Sequence, residues 1–159
     1  MDVRLAPLTA AQFPAWIERA SAEYIDDLIG IGQSPEAARE STAATMERTF
    51  PGGVMGGEHV VFDVVGQVSG ADAVVGYLWI GPDSSSDAGA WWVWDITLSP
   101  DFRGQGIGRQ VMLLAETFAA GRGATTLGLN VFGSNAVARG LYESLGYTTT
   151  KLQMRKELS

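Results

Sequence analysis

The chain contains no cysteine, a single histidine and fewer basic than acidic residues, and each shortage removes a class of function. Without thiols there is no disulfide framework, no thiolate zinc site and no catalytic thiol. The one histidine, His59, has neither a cysteine nor a second histidine to share a metal with, so no metal is expected and it reads as structural. Eleven Lys and Arg against eighteen Asp and Glu leave a formal charge of -7, which argues against a nonspecific grip on nucleic acid. Long apolar runs are also missing. The longest apolar helix candidate, Ile107 to Ala120, is interrupted by Arg109, Gln110 and Glu116 and falls short of the ~20 apolar residues that a membrane span needs. Met1 to Thr9 carries Asp2 and Arg4 where a secretory signal needs a basic start and an apolar run, so the expected location is cytoplasmic, with no membrane partner.

What is present suffices for a core. The 159 residues are 46% hydrophobic and 18% charged, and no repeat or composition break divides them, so residues 1–159 read as a single domain.

Periodicity supplies the elements. Val3 to Leu8 alternates as a first strand, and Phe13 to Ile29 carries Phe13, Trp16, Ile17, Tyr24 and Leu28 near one helical stripe. Gly30-Ile31-Gly32 ends that helix, and Ser34-Pro35 starts a second one, reaching about Phe50 before Pro51-Gly52-Gly53. His59 to Val65 and Ala73 to Ile80 predict two antiparallel strands joined across Gly66 to Gly70. After the polar run Pro82 to Gly89 comes the strongest strand, Ala90 to Leu98. Strict alternation sends Trp92, Trp94, Ile96 and Leu98 to one face, and Trp91, Val93, Asp95 and Thr97 to the other, so Asp95 is an acid on a covered strand. Ile107, Val111, Leu114, Ala115 and Phe118 lie at core spacing on a helix closed by Gly121 and Gly123, and Thr126 to Phe132 follows as a strand. Asn135 caps a last helix that directs Val137, Ala138, Leu141 and Leu145 inward, Gly146 ends it, and Tyr147 to Glu157 reads as one or two closing strands. The order is βααβββαβαβ(β), an α/β (α+β) arrangement with a mixed sheet covered by helices.

The sharpest local feature is Arg103-Gly104-Gln105-Gly106-Ile107-Gly108, after a strand and at a helix start. Glycines there let backbone N–H groups approach a ligand, and the helix N-terminus adds free donors and a positive dipole, together suited to a pyrophosphate. A Walker A loop is excluded because Gly108 is followed by Arg109 and Gln110, and a dinucleotide fingerprint is excluded by the even spacing of Gly104, Gly106 and Gly108. The stretch Leu98 to Gly108 resembles the acetyl-CoA motif of the GNAT superfamily of N-acetyltransferases, whose core pattern is Arg/Gln-x-x-Gly-x-Gly/Ala. Asn135, Ala138-Arg139 and Leu141-Tyr142-Glu143-Ser144-Leu145-Gly146-Tyr147 resemble the family's later segment, and Met154 to Leu158 is similar to the ending of many members.

The resemblance implies a mostly antiparallel sheet of about six to seven strands with about four flanking helices, and acetyl-CoA as cosubstrate. It implies that backbone groups of Ile96, Thr97 and Leu98 line the pantetheine arm, that amides of Arg103, Gly104, Gln105, Gly106, Ile107 and Gly108 hold the pyrophosphate, and that Asn135 contacts the cofactor. Tyr142 matches the family's general acid, with an amphipathic core tyrosine as the plainer reading. An ammonium acceptor must lose a proton before attack, and Asp95, three residues before Leu98, is the first candidate base beside a purely structural carboxylate or bulk water. Glu23, Tyr24, Asp26 and Asp27 could attract a cationic amine, though a solvated helix face explains them as well. The expected activity is acetyl transfer to a primary amine by direct attack in a ternary complex. A noncatalytic acyl-CoA-binding module is the alternative, another short acyl donor stays open, and a homodimer is permitted but not demanded.

Overall fold

The computed structural model describes residues 1–159. Its order is β1 (Val3–Pro7), α1 (Phe13–Gly30), α2 (Pro35–Thr49), β2 (Val60–Val68), β3 (Ala71–Pro82), β4 (Ala90–Leu98), α3 (Ile107–Gly121), β5 (Thr126–Leu129) and α4 (Ala136–Ser144). The strands form one five-stranded sheet in sequence order, antiparallel from β1 to β4 and parallel between β4 and β5. No helix is long and apolar enough to cross a membrane.

Helix ends follow the local chemistry. Ser34 Oγ accepts from Ala37 N with Pro35 at the first helical position, and Asn135 Oδ1 accepts from Ala138 N, as their places in the sequence suggest. Three helices close with a left-handed glycine: Gly32 after α1, Gly123 after α3 and Gly146 after α4. In each, the glycine N–H and the following N–H turn back onto carbonyls of the last helical turn. The β2–β3 turn is tighter than expected. Ser69 and Gly70 both have positive φ, Val68 pairs with Ala71, and Gly66 to Val68 belong to the strand.

Each face of the sheet carries its own core. On one face Val64, Val75, Leu78, Ile80, Trp91 and Val93 pack beneath α3, whose buried residues are Ile107, Val111, Met112, Ala115 and Ala119. Leu114 and Phe118, expected inside, are half-buried, because the stripe in contact with the sheet is rotated toward Met112 and Ala119. On the other face α1 and α2 cover Val61, Tyr77 and Trp79 with an aromatic cluster of Phe13, Trp16 and Phe50. Trp16 meets Phe50, Tyr77 and Trp79 edge-on at 5.6–5.9 Å between ring centroids, a favoured packing of ring quadrupoles.

Two expectations at the C-terminal side are corrected. In α4, Val137 is 87% exposed and Tyr142 is the buried residue, so the inward stripe runs through Ala138, Leu141, Tyr142 and Leu145. The closing strands in Tyr147 to Glu157 do not form, leaving a sheet of five strands instead of six or seven. Residues 148–159 make no ladder with the free outer edge of β5, and Leu152, Met154 and Leu158 stand 77%, 89% and 88% exposed. A high β-propensity makes a strand only where a neighbour satisfies its backbone groups. Strand β5 likewise ends at Leu129, short of the expected Phe132.

Candidate active site

The site is created by a disagreement between the two neighbours of β4. On the β3 side, pairing continues to Leu98 opposite Gly76. On the β5 side it stops at Val93 opposite Leu129. The strand therefore runs on from Trp94 to Leu98 with no strand along that edge, and Ile96, Thr97 and Leu98 lie on this stretch.

A β-bulge marks the point of separation. Trp79 pairs with Asp95 and Ile80 with Val93, so Trp94 is an extra residue in β4. This overturns the strict alternation expected from the sequence. Trp91 and Val93 face α3, and Ile96 and Leu98 pack against that same core. Trp94 packs with the α1–α2 cluster, and Asp95 bonds to Tyr77 of that cluster. The bulge thus turns Trp94 and Asp95 together toward α1, where a two-residue period would have set them on opposite faces.

Asp95 joins a hydrogen-bonded chain. Tyr77 Oη lies 3.0 Å from Asp95 Oδ2 and 2.7 Å from Glu23 Oε2, with Glu23 on α1. Burial holds the Asp95 carboxyl above its ordinary range against the lowering effect of the Tyr77 hydrogen bond, and the charges of Glu23 and Asp27 push the same way as burial. Asp27 is raised as well, by burial and by its neighbours Glu23 and Asp26. Sequence reasoning considered Glu23 only as one of several surface acids and missed Tyr77. The available signal was that Tyr77 and Trp79 share one face of a strand beside the strand carrying Asp95.

Tyr142 reaches the opening from the opposite side. Gly146 (φ 94°) ends α4, letting Tyr147 N donate to Tyr142 O and placing the two rings 6.0 Å apart. Gly108 helps seat this helix: a Cβ there would lie 3.2 Å from Leu141 Cδ2, so its small size permits α3 and α4 to approach. Tyr142 is 9% exposed, and burial, then the charge of Asp95, pushes its phenol upward. The candidate acid and base thus feel one another across the end of β4.

The loop before α3 supplies the other half of the site. Gly104 and Gly106 have φ of 72° and 78°, and nothing lies within 4 Å of where a Cβ would stand on either. Gly106 precedes α3 with no side chain capping the helix, unlike Ser34 and Asn135 at α2 and α4. The first amides of α3 are therefore free donors beside an open, left-handed glycine turn. Arg103 Nε donates to Leu98 O at 2.9 Å, tying this loop to the end of β4, and Gln105 Nε2 donates to Asp101 O. Arg109 is held by Ser144 Oγ of α4. Asn135 uses its Oδ1 as the cap of α4, which leaves its NH2 as the group able to face a ligand. These residues fit a long ligand with a peptide-like arm and a diphosphate: unpaired strand edge for the arm, glycine turn and helix end for the phosphates.

His59, read as structural, sits just before β2 and accepts from Trp79 Nε1 through Nδ1 at 3.1 Å. Burial lowers its pKa, so it is held neutral with its second nitrogen protonated. It lines a cavity of about 450 Å³ together with Tyr24, Arg48, Asp83 and Trp94.

Comparison with known proteins agrees with this geometry. Residues 17–147 match the model of the acetyltransferase (GNAT) family. The uncharacterized N-acetyltransferase YycN of Bacillus subtilis (strain 168) is 26% identical over 99% of this chain and 100% of its own. Its crystal structure superposes with a TM-score of 0.84 over 99% of both chains at 24% identity. The [ribosomal protein bS18]-alanine N-acetyltransferase of Escherichia coli (strain K12) is 38% identical over 61 residues, covering 38% of this chain and 41% of that one. A structure of AAC(6')-Iy in complex with a bisubstrate analog, CoA-S-monomethyl-acetylneamine, covers 100% of this chain and 99% of its own at 11% identity, with a TM-score of 0.59. The chain belongs to the acetyltransferase (GNAT) family and is an acetyl-CoA-dependent N-acetyltransferase.

Proposed function

We propose that the protein acetylates a primary amine by direct transfer within a ternary complex, with acetyl-CoA held between β4 and the start of α3. The observation that carries this reading is the separation of β4 from β5 after Val93, beside the uncapped glycine turn Gly104 to Gly106. Backbone groups of Ile96, Thr97 and Leu98 would hold the pantetheine arm, amides from Arg103 to Gly108 the pyrophosphate, and the Asn135 amide a further part of the cofactor. Acetyl-CoA supplies an acetyl group activated as a thioester.

The protein's own groups then manage protons and charge. An alkylammonium acceptor, with a pKa of about 10, needs a base. Asp95 serves, because its carboxylate is held by a desolvated environment that favours taking up a proton. Tyr142 Oη gives its proton to the departing thiolate, and the upward shift of its phenol keeps that proton in place at neutral pH. A backbone N–H near Leu98 polarises the acyl carbonyl. The chain has no cysteine to take the acetyl group first, in keeping with direct attack.

The acceptor enters from the α1 side, where Glu23, Asp26, Asp27 and Asp95 make a negative surround for an ammonium. The cavity between Tyr24, Arg48, His59 and Trp94 has room for the remainder of a small acceptor or for the end of a polypeptide. Both kinds occur among similar proteins: one is named for alanine of a ribosomal protein, and another was solved with a CoA–acetylneamine analog.

Tyr142→Phe tests the assignment. Acetyl-CoA affinity is expected to stay within about twofold while kcat with an amine substrate falls by roughly 10²–10⁴. Unchanged transfer would remove Tyr142 from the reaction, and binding of acetyl-CoA with no transfer to any amine in a broad panel would leave a noncatalytic acyl-CoA-binding module.

A further inference from the structure

The contact between Tyr77 and its two carboxylates has a proton count of its own. Tyr77 Oη lies within hydrogen-bond distance of Glu23 Oε2 and Asp95 Oδ2, yet a phenol has only one hydrogen to donate. Two hydrogen bonds along three oxygens need two protons. The second is present once Asp95 has taken up a proton and its O–H donates to the phenol oxygen. With both carboxylates ionised the phenol hydrogen serves one of them only, so two simultaneous hydrogen bonds belong to the chain that has accepted a proton. Tyr77 is 3% exposed, while Glu23 stands in solvent on α1, so the chain leads from the covered end of the bulge to water.

We infer that Asp95, Tyr77 and Glu23 form a proton relay that carries the acceptor's proton from the reaction centre to the surface. This rests on the reading of Asp95 as base. The ammonium gives one proton to Asp95 Oδ2. The Asp95 O–H then passes its proton to Tyr77 Oη as the Tyr77 O–H passes its own to Glu23 Oε2. Asp95 becomes a carboxylate again, Tyr77 is unchanged, and Glu23 releases the proton to water. No charge is created on Tyr77, whose environment makes a phenolate inaccessible.

The surroundings fit conduction in this direction. Arg19 of α1 lies over the Tyr77 ring at 5.1 Å, Thr97 of β4 touches the phenol, and the charge of Asp27 on α1 acts on Asp95. From the far side Tyr142 of α4 feels the charge of Asp95. Tyr77 is therefore a positioning and proton-conducting residue, distinct from the two groups assigned to the reacting atoms.

The test has one readout that needs no turnover. Carbon-13 carboxyl NMR titrations of wild type, Tyr77→Phe and Glu23→Gln should show the Asp95 midpoint moving in both variants. It should rise in Tyr77→Phe, because a hydrogen bond to its ionised form is gone, and fall in Glu23→Gln, because a like charge at the other end of the chain is gone. The kinetic readout is kcat against pH: Tyr77→Phe and Glu23→Gln should each lower kcat about tenfold or more with KM for acetyl-CoA unchanged. Their combination should be no worse than either alone, since both break one path. Glu23→Gln alters only an exposed residue, so it remains informative if Tyr77→Phe folds poorly. An Asp95 midpoint unmoved in both variants overturns the relay whatever the activity, and additive losses or an unchanged kcat overturn its catalytic use. The two shifts of the Asp95 midpoint in a protein that acetylates no amine overturn the reading of the function instead.

Discussion

Replacing Gly106 by alanine separates a ligand cradle from an ordinary turn, because the same fold contains a matched control. Gly106 and Gly123 have φ of 78° and 87°, and neither has an atom within 4 Å of the place where a Cβ would go. Both flank α3, Gly106 at its start and Gly123 just past its end. Forcing alanine into the left-handed region costs roughly 1–2 kcal/mol, and stiffening the unfolded chain returns about 0.4–1 kcal/mol. The net loss at either position is about 1 kcal/mol, equivalent to ~2–4 °C in Tm for a chain of this size. If the amides around Gly106 hold a diphosphate, Gly106→Ala also displaces one or two charge-assisted hydrogen bonds worth about 1.5–3 kcal/mol each, so Kd for CoA should rise at least about tenfold. Differential scanning fluorimetry and isothermal titration calorimetry on the two variants give both numbers. Equal losses of Tm with a loss of CoA affinity only in Gly106→Ala is the expected pattern. Equal Kd values for the two variants would refute the cradle, since the steric and conformational insults are matched.

The remaining expectations concern β4 and its surroundings. Gly76→Ala places a Cβ 2.8 Å from Leu98 Cδ2 and 3.1 Å from Leu98 Cα, an overpacking that should cost about 1–3 kcal/mol and weaken CoA binding by shifting Thr97 and Leu98, measurable by urea unfolding and calorimetry. Asp95 is more basic folded than unfolded, so its stabilising contribution is present at low pH and lost as pH rises through its folded value. Asp95→Asn should therefore raise Tm relative to wild type more at pH 8 than at pH 4, and a pH-independent difference would contradict this. His59 runs the other way: burial lowers its pKa from 6.5, so stability is lost as pH falls through that region, and His59→Gln should flatten the decline in Tm between pH 7 and pH 5.

Features set by a few neighbouring residues were legible in the sequence. Ser34-Pro35, Asn135 and the glycines after α1, α3 and α4 mark helix ends because caps are local chemistry. The glycine turn before Ile107 was visible for the same reason. The orientation of Asp95 was not. A bulge is a property of two strands, and nothing in Trp94-Asp95 announces that β3 offers one fewer residue opposite them. Tyr77 escaped notice because its partners come from β4 and α1, joined only by the fold. Val137 and Tyr142 exchanged roles because the hydrophobic stripe of a short helix is set by its packing against α3 through Gly108 and Leu141. The closing strands were expected from the local pattern of Tyr147 to Glu157, but a strand exists only where its backbone groups are paired, and residues 148–159 make no ladder with the free edge of β5.

The most direct test is an amide nitrogen-15 NMR titration with CoA. Saturable shifts should appear at Ile96, Thr97 and Leu98 and from Arg103 to Gly108, while the amides of α2 stay in place. No shift at millimolar CoA, or shifts confined to other parts of the surface, would contradict a cofactor held between the free edge of β4 and the start of α3.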